Sequence, residues 1–118
     1  HPTDACSSHI SRKNPTRMVR AITIDAFAAE RSICVDYIKM DVEGAEENAL
    51  RGAQETLRRD RPQLAIAIYH KKTHLFSIPR YLKTLLLDYA FKLSHHTATA
   101  CETILYAIPR EKVPAVWY

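Results

Sequence analysis

A short stretch in the first half of the chain places a cluster of acids directly after a strand. Residues 35–42 read Val-Asp-Tyr-Ile-Lys-Met-Asp-Val, an apolar and partly β-branched segment that is typical of a strand. Asp41, Glu43 and Glu46 then lead into a helical pattern. In open α/β sheets, ligands bind just beyond the carboxyl ends of the strands. The pattern therefore predicts a reaction site where this strand ends.

The segments around this strand alternate between strand and helix patterns. The predicted elements are a strand over 18–24, a short helix over 26–31, a strand over 35–42, a helix over 45–59, strand 63–69, helix 78–88, and strands 90–94 and 103–108. Asp25 and Ser77 are the predicted helix caps, with Pro79 in an opening turn. The alternation indicates an α/β fold with a mostly parallel sheet. The last two strands, joined by a short polar turn, are predicted to form an antiparallel C-terminal hairpin at one edge.

Glycine content limits the kind of cofactor loop that the chain can contain. Gly44 and Gly52 are the only glycines among the 118 residues. Neither a G-x-G-x-x-G loop nor a phosphate-binding loop of the G-x-x-x-x-G-K-[ST] type is therefore present.

Charge, hydropathy and cysteine usage exclude several other classes. The formal net charge is +4, but no aromatic residues interleave with the scattered basic residues, so we expect no nucleic-acid partner. No apolar stretch approaches the 18 residues or so of a membrane span, and no signal peptide is recognisable. The chain has three widely spaced cysteines and no C-x-x-C pair, which favours reduced thiols in a cytoplasmic protein.

Histidines offer a weak alternative centre. His70 and His74 stand four positions apart, a spacing that suits metal ligands on a helix, whereas this segment reads as a loop. A zinc site from these two with His95, His96 and Cys101 stays an open alternative, and we assign no metal ligand from the sequence.

The segments described above resemble a known family. Residues 35–46, followed by Ala49-Leu-Arg-Gly-Ala53, are similar to the signature of FkbM-type methyltransferases. The resemblance covers about residues 18–110, and its other parts are Thr23-Ile-Asp25, the run Arg61-Pro-Gln-Leu-Ala-Ile-Ala-Ile-Tyr-His70, Ile78-Pro79, His95-His96 and Thr103-Ile-Leu-Tyr-Ala107. It divides the chain into a loose lead-in (1–17), a partial methyltransferase domain (18–110) and a tail (111–118).

The resemblance implies both a fold and an activity. Members of the family use S-adenosylmethionine, and the founding activity is O-methylation of a hydroxyl group. Their fold is a Rossmann-like class I methyltransferase sheet, of which this chain resembles the C-terminal half, strands four to seven. The expected function is O-methyl transfer to a small molecule or glycan by a chain that lacks the glycine-rich cofactor loop. The alternative is a catalytically inactive, truncated α/β domain that acts as a binding or self-association module.

Site residues follow from this comparison. Asp41, at the end of strand four, is predicted to orient the acceptor, accept its proton or hold a metal; capping of the next helix is the alternative. Glu43 is predicted to contact acceptor or cofactor, and His70 to shuttle protons at the same edge, unless it is a structural histidine. Glu46 and Gly44 are predicted at the substrate-binding turn, although Glu46 also suits a helix N-terminus.

One expectation concerns partners. Strand four of the class I sheet normally pairs with strand one, which this chain lacks. An unpaired edge offers backbone groups to another chain. We therefore expect either a homodimer through this edge or its coverage by residues 1–24.

Overall fold

The computed structural model describes residues 13, 17–98 and 102–117. The elements are α1 (Ile24–Arg31), β1 (Tyr37–Met40), α2 (Glu46–Arg51), α3 (Gln54–Asp60), β2 (Gln63–Ala67), α4 (His74–Leu85), β3 (Tyr89–His95) and β4 (Thr103–Pro109), followed by 3₁₀ turns at Arg110–Lys112 and Ala115–Trp117. No helix in these ranges has the length and apolar character needed to cross a membrane.

The four strands form one sheet in the order β1-β2-β4-β3. β1 and β2 are parallel, with Met40 opposite Ile66. β4 is antiparallel to both of its neighbours, so the predicted antiparallel C-terminal hairpin is confirmed. The prediction of a mostly parallel sheet is wrong for the described strands: one pairing is parallel and two are antiparallel. The reason is that β4 forms a hairpin with β3 and also inserts beside β2. The mixed α/β architecture itself is as predicted.

β2 is the centre of the core. Leu64, Ala65, Ile66 and Ala67 are all buried, which explains why the sequence of this strand is almost continuously apolar. Helices α2, α3 and α4 cover one side of the sheet with fully buried side chains, among them Leu50, Leu57, Ile78 and Leu82. Complete burial of each such side chain contributes about 1.5–3 kcal/mol. The site described below lies at the carboxyl ends of the buried strand β2 and its parallel neighbour β1.

The predicted helix over 45–59 is wrong in one respect: it is two helices. α2 ends at Arg51 with Gly52 as its C-cap, and α3 begins at Gln54. The carboxylate of Asp25 accepts hydrogen bonds from the amides of Thr56 (2.8 Å) and Glu55 (3.2 Å) in the first turn of α3. Burial by itself raises the pKa of Asp25, but these hydrogen bonds outweigh it and leave the pKa lowered.

Asp25 was a predicted cap for its own helix, and that prediction is wrong. Thr23 caps α1 instead, because its Oγ1 accepts a hydrogen bond from the Ala26 amide at 3.1 Å. The helix consequently begins at Ile24 rather than at residue 26. Asp25 is free to cap a helix that is thirty residues away in sequence, which joins α1 to α3.

Two further elements differ from the sequence prediction. Residues 18–23 are not a strand: Met18 and Val19 are 82% and 76% exposed, and the alternating pattern finds no neighbouring strand in the described part of the chain. α4 begins at His74, so Pro79 lies inside the helix rather than in its opening turn. Ser77 is not its cap, because its hydroxyl donates to Glu47 Oε2 at 3.0 Å.

Some expectations concern residues outside the described ranges. These include most of the lead-in (1–12 and 14–16), Cys6, and the end of the β3–β4 turn, 99–101, with Cys101. Cys34 is described and is an exposed free thiol. β1 has no partner on its outer side within the described residues, and its pairing with a second copy or with residues 1–24 stays a prediction.

Asp60 fixes the entry to β1. Its side chain, only 4% exposed, accepts a hydrogen bond from the Val35 amide at 2.8 Å. The Arg59 guanidinium contacts the same carboxylate at 2.6 Å and 2.8 Å. Hydrogen bonding to Arg59 is the main reason why the pKa of Asp60 is lowered to about 2.

Replacing Asp60 tests this contact. A carboxylate with a lowered folded-state pKa contributes stability above its unfolded pKa of about 3.9, and this contribution is lost as the pH falls through about 2. We expect Asp60→Asn to lower the free energy of unfolding by about 1–2 kcal/mol at pH 7. In urea unfolding, the difference in the free energy of unfolding between wild type and Asp60→Asn should become smaller between about pH 4 and pH 2. Asp36→Asn, at an exposed acid nearby, is the control. If Asp60→Asn lowers the free energy of unfolding by the same amount at every pH, the charge of Asp60 does not have this role.

Candidate active site

The carboxyl ends of β1 and β2 bring three of the predicted residues together. Asp41 follows β1 directly, Glu43 lies two residues later, and His70 follows β2. His70 Nε2 lies 3.3 Å from Asp41 Oδ1 and 3.5 Å from Glu43 Oε2. Because β1 and β2 are parallel neighbours, their carboxyl ends meet at one edge of the sheet. We call Asp41, Glu43 and His70 the acid–histidine cluster.

Exposure differs sharply within the cluster. The side chains of Asp41 and Glu43 are 40% and 41% exposed, whereas that of His70 is 10% exposed. The carboxylates therefore stand at the mouth of the site with the imidazole beneath them. A small molecule that reaches the acids also meets Nε2.

Tyr69 is a site residue that sequence reasoning missed. Its hydroxyl donates to the Asp41 carboxylate, with distances of 3.3 Å and 3.4 Å to the two oxygens. Its ring also lies against the imidazole of His70, with centroids 4.1 Å apart. The only signal in the sequence was its place at the end of the apolar run, which does not show that it points to Asp41. Tyr69 restricts the orientation of both groups.

Glu46 lies behind His70 rather than at the mouth. It is fully buried, and its Oε1 lies 2.8 Å from His70 Nδ1 and accepts a hydrogen bond from the Val42 amide at 2.9 Å. Its Oε2 lies 3.4 Å from His74 Nδ1. A role in holding the two histidines fits this position better than the predicted contact with substrate.

The ionisation of Glu46 is controlled by opposing effects. Burial raises its pKa, but backbone hydrogen bonds from Glu46 itself, Val42 and Gly44, together with the charge of His70, outweigh burial and leave the pKa lowered. The buried carboxylate is therefore charged at neutral pH.

The turn between β1 and α2 has an unusual backbone. Glu43 has φ 52° and Gly44 has φ 96°, both in the left-handed region. Glycine adopts this region readily, whereas for a residue with a side chain it costs about 1–2 kcal/mol. Such strain persists where the surrounding structure holds it, and functional sites are common places for it. The turn aims the Glu43 side chain at His70.

An open groove of about 740 Å³ adjoins the cluster. One wall is formed by residues 21–24, and the other by residues 42–45 together with Lys71. Its volume is in the range of small-molecule sites. Glu43 belongs to both the groove and the cluster, so a molecule in the groove can contact this carboxylate.

Within the described residues, His95 and His96 do not join His70 and His74 in one group of ligand atoms. His95 Nδ1 contacts Thr103 Oγ1 at 2.8 Å, and His96 Nε2 contacts the Tyr106 hydroxyl at 3.2 Å. Within the described ranges, the ligand atoms that lie close enough to share an ion belong to Asp41, Glu43 and His70. Cys101 lies outside these ranges.

The family described as the methyltransferase FkbM domain matches residues 2–93. The chain belongs to this family. The resemblance drawn from residues 35–53 is thereby confirmed.

A solved structure agrees with the assignment. The chain is 39% identical to the FkbM methyltransferase from Methylobacillus flagellatus KT and superposes with a TM-score of 0.61. The match covers 64% of this chain and 20% of that one, so the chain spans about a fifth of the length of that methyltransferase. A comparison with curated proteins gave no match.

Gly44 provides a test of the turn. A Cβ at this position would lie 3.1 Å from Lys71 Cε and would have to adopt φ 96°. We expect Gly44→Ala to lower the free energy of unfolding by about 1–2 kcal/mol, chiefly through backbone strain, because the lysine chain is able to move. Chemical unfolding checks this value. A second variant, Glu43→Gly, should instead gain stability, since it removes strain; loss of stability there would contradict the strained turn.

Proposed function

We propose that this chain carries the acceptor-facing part of an S-adenosylmethionine-dependent O-methyltransferase. The proposed acceptor is a hydroxyl group of a small molecule or glycan. The observation that supports this proposal is the acid–histidine cluster at the carboxyl edge of the β1–β2 pair in a chain of the FkbM family. An inactive binding module would have no need for a buried histidine held between three carboxylates.

The cluster has the chemistry that an O-methylation requires. A hydroxyl that receives a methyl group must lose its proton, and a positioned base contributes about 10²–10⁴-fold to the rate. Asp41 is exposed enough to contact the hydroxyl, and His70 Nε2 lies 3.3 Å from it. A proton that passes to Nε2 produces an imidazolium next to Asp41, Glu43 and Glu46, which stabilise it.

The groove provides a place for the acceptor. Its walls combine apolar side chains, such as Ile22 and Ile24, with the polar side chains of Asn48 and Glu43. This combination suits an organic molecule that carries hydroxyl groups. An acceptor in the groove extends past Glu43 to reach Asp41.

The residues present do not form a cofactor site by themselves. S-adenosylmethionine supplies the methyl group in this family, and class I enzymes hold it on a glycine-rich loop. A cofactor could approach the backbone closely only at a glycine. The side chain of Lys71 lies against Gly44, and that of Thr23 lies against Gly52. The cofactor site therefore needs residues beyond those described, in line with the one-fifth coverage of the relative.

This view predicts weak cofactor binding by the 118-residue chain alone. Calorimetric titration with S-adenosylmethionine should show a dissociation constant well above about 1 μM, equivalent to less than about 8 kcal/mol of binding free energy. The same titration of the full-length protein is the comparison. Micromolar or tighter binding by the chain alone would contradict the incomplete site.

Asp41 provides the test of the catalytic role. We expect Asp41→Asn to lower kcat of the full-length protein by about 10²–10⁴-fold, because the amide neither accepts a proton nor stabilises the imidazolium. Methyl transfer from labelled cofactor to hydroxylated acceptors measures this change, and circular dichroism verifies the fold. Asp36→Asn, an exposed acid before β1, is the matched control and should retain turnover. Unchanged turnover in Asp41→Asn would remove Asp41 from the mechanism.

A further inference from the structure

The acid–histidine cluster presents three potential metal ligands in one small volume. One nitrogen of His70 and one carboxylate oxygen each from Asp41 and Glu43 all lie within 4.8 Å of one another. Ligand atoms at 2.0–2.2 Å from a shared ion are separated by about 3–4.4 Å, so small side-chain rotations complete such a site. We propose that Asp41, Glu43 and His70 bind a divalent transition-metal ion.

The environment of His70 distinguishes this cluster from ordinary surface acids. Its side chain is 10% exposed, and Nε2 points at the two carboxylates. On the other side of the ring, Nδ1 lies 2.8 Å from the fully buried Glu46. A histidine that binds a metal commonly has its second ring nitrogen against a carboxylate, which fixes the tautomer and increases ligand basicity.

The inner side of the ring has an unfilled hydrogen-bonding capacity. Within the described residues, His70 Nδ1 and Glu46 Oε2 have no partner in hydrogen-bonding geometry, despite the 2.8 Å approach of Nδ1 to Oε1. A small rotation of the imidazole would align Nδ1–H with the glutamate. With the proton on Nδ1, the lone pair on Nε2 faces Asp41 and Glu43, as a metal ligand requires.

Charge favours a cation at this position. Asp41, Glu43 and Glu46 surround one imidazole, so the group carries a net charge of −2 even with His70 protonated. A divalent ion with a neutral imidazole reduces this to −1. It also moves the positive charge to the mouth, between the two carboxylates that repel each other.

The ligand set indicates which ions fit. Imidazole suits zinc and iron, carboxylates suit magnesium and manganese, and a mixed site with one nitrogen and two oxygens favours Mn²⁺ or Zn²⁺. Three protein ligands leave positions open for a hydroxyl oxygen. An ion there would lower the pKa of a bound hydroxyl, which would assist loss of its proton in the proposed methyl transfer. That catalytic role rests on the proposed function, whereas binding of the ion does not.

The test begins with Mn²⁺ added to metal-free full-length protein. Calorimetry should show one saturable site. Asp41→Asn and Glu43→Gln should each weaken affinity at least tenfold, and Glu46→Gln about tenfold to a hundredfold through the orientation of His70. The matched controls Asp36→Asn and Glu55→Gln, at exposed acids elsewhere, should bind as wild type does. Absence of saturable binding, or equal affinity in all variants, would overturn the proposal.

A spectroscopic measurement identifies the nitrogen ligand. Pulsed electron paramagnetic resonance of bound Mn²⁺ should show coupling to one ¹⁴N nucleus, and His70→Gln should abolish it. Coupling that survives in this variant would exclude His70 as a ligand and overturn the proposed site. Circular dichroism tests whether each variant retains its fold. If His70→Gln does not fold, the affinity of Asp41→Asn, at an exposed position, decides the test.

Failures of the two proposals have different signatures. Specific Mn²⁺ binding without methyl transfer to hydroxylated acceptors would sustain the metal site and count against the proposed function. Methyl transfer that is unaffected by chelators, in a protein without saturable Mn²⁺ binding, would sustain the proposed function and overturn the metal site.

Discussion

A buried carboxylate is the constraint on which the site depends. Glu46 is fully buried at the start of α2 and contacts the Val42 amide, His70 and His74. A buried charge must be compensated, and removal of a partner from such a group costs several kcal/mol. The ends of β1 and β2 and the beginning of α4 are therefore held around one side chain. The orientation of His70 toward the mouth follows from this arrangement.

The strained turn complements the buried glutamate. Glu43 and Gly44 take left-handed backbone conformations directly after β1, so the chain reverses its direction between a strand and a helix within a few residues. Asp41 and Glu43 remain at the surface, while Glu46 goes into the interior. Three acids that are close in sequence thus have separate positions: Asp41 and Glu43 lie exposed at the mouth of the site, and Glu46 contacts His70 from the interior. This division suits the acceptor site and the metal site that we propose here.

The chain corresponds to only part of a related methyltransferase. It contains the acid-tipped strand β1 and the strands beside it, yet spans about a fifth of the length of a related methyltransferase. In the reaction that we propose, the groove beside residues 42–45 and the cluster form the acceptor side. The outer side of β1 is where the described sheet stops.

Periodicity determined much of the fold from sequence alone. The apolar run of β2, the acids after β1 and the stripe of α4 depend on residues near one another in the chain. The strands β1 to β4, the hairpin and the approach of Asp41 and Glu43 to His70 were therefore predictable, whereas the alternating pattern of residues 18–23 was misleading. Tertiary structure decided contacts between distant residues. Asp25 caps α3 rather than its own helix, β4 lies between β2 and β3, Tyr69 contacts Asp41, and Glu46 turns inward. Local patterns carry no information about these contacts, because each depends on which partner the folded chain brings near a polar group or a free strand edge.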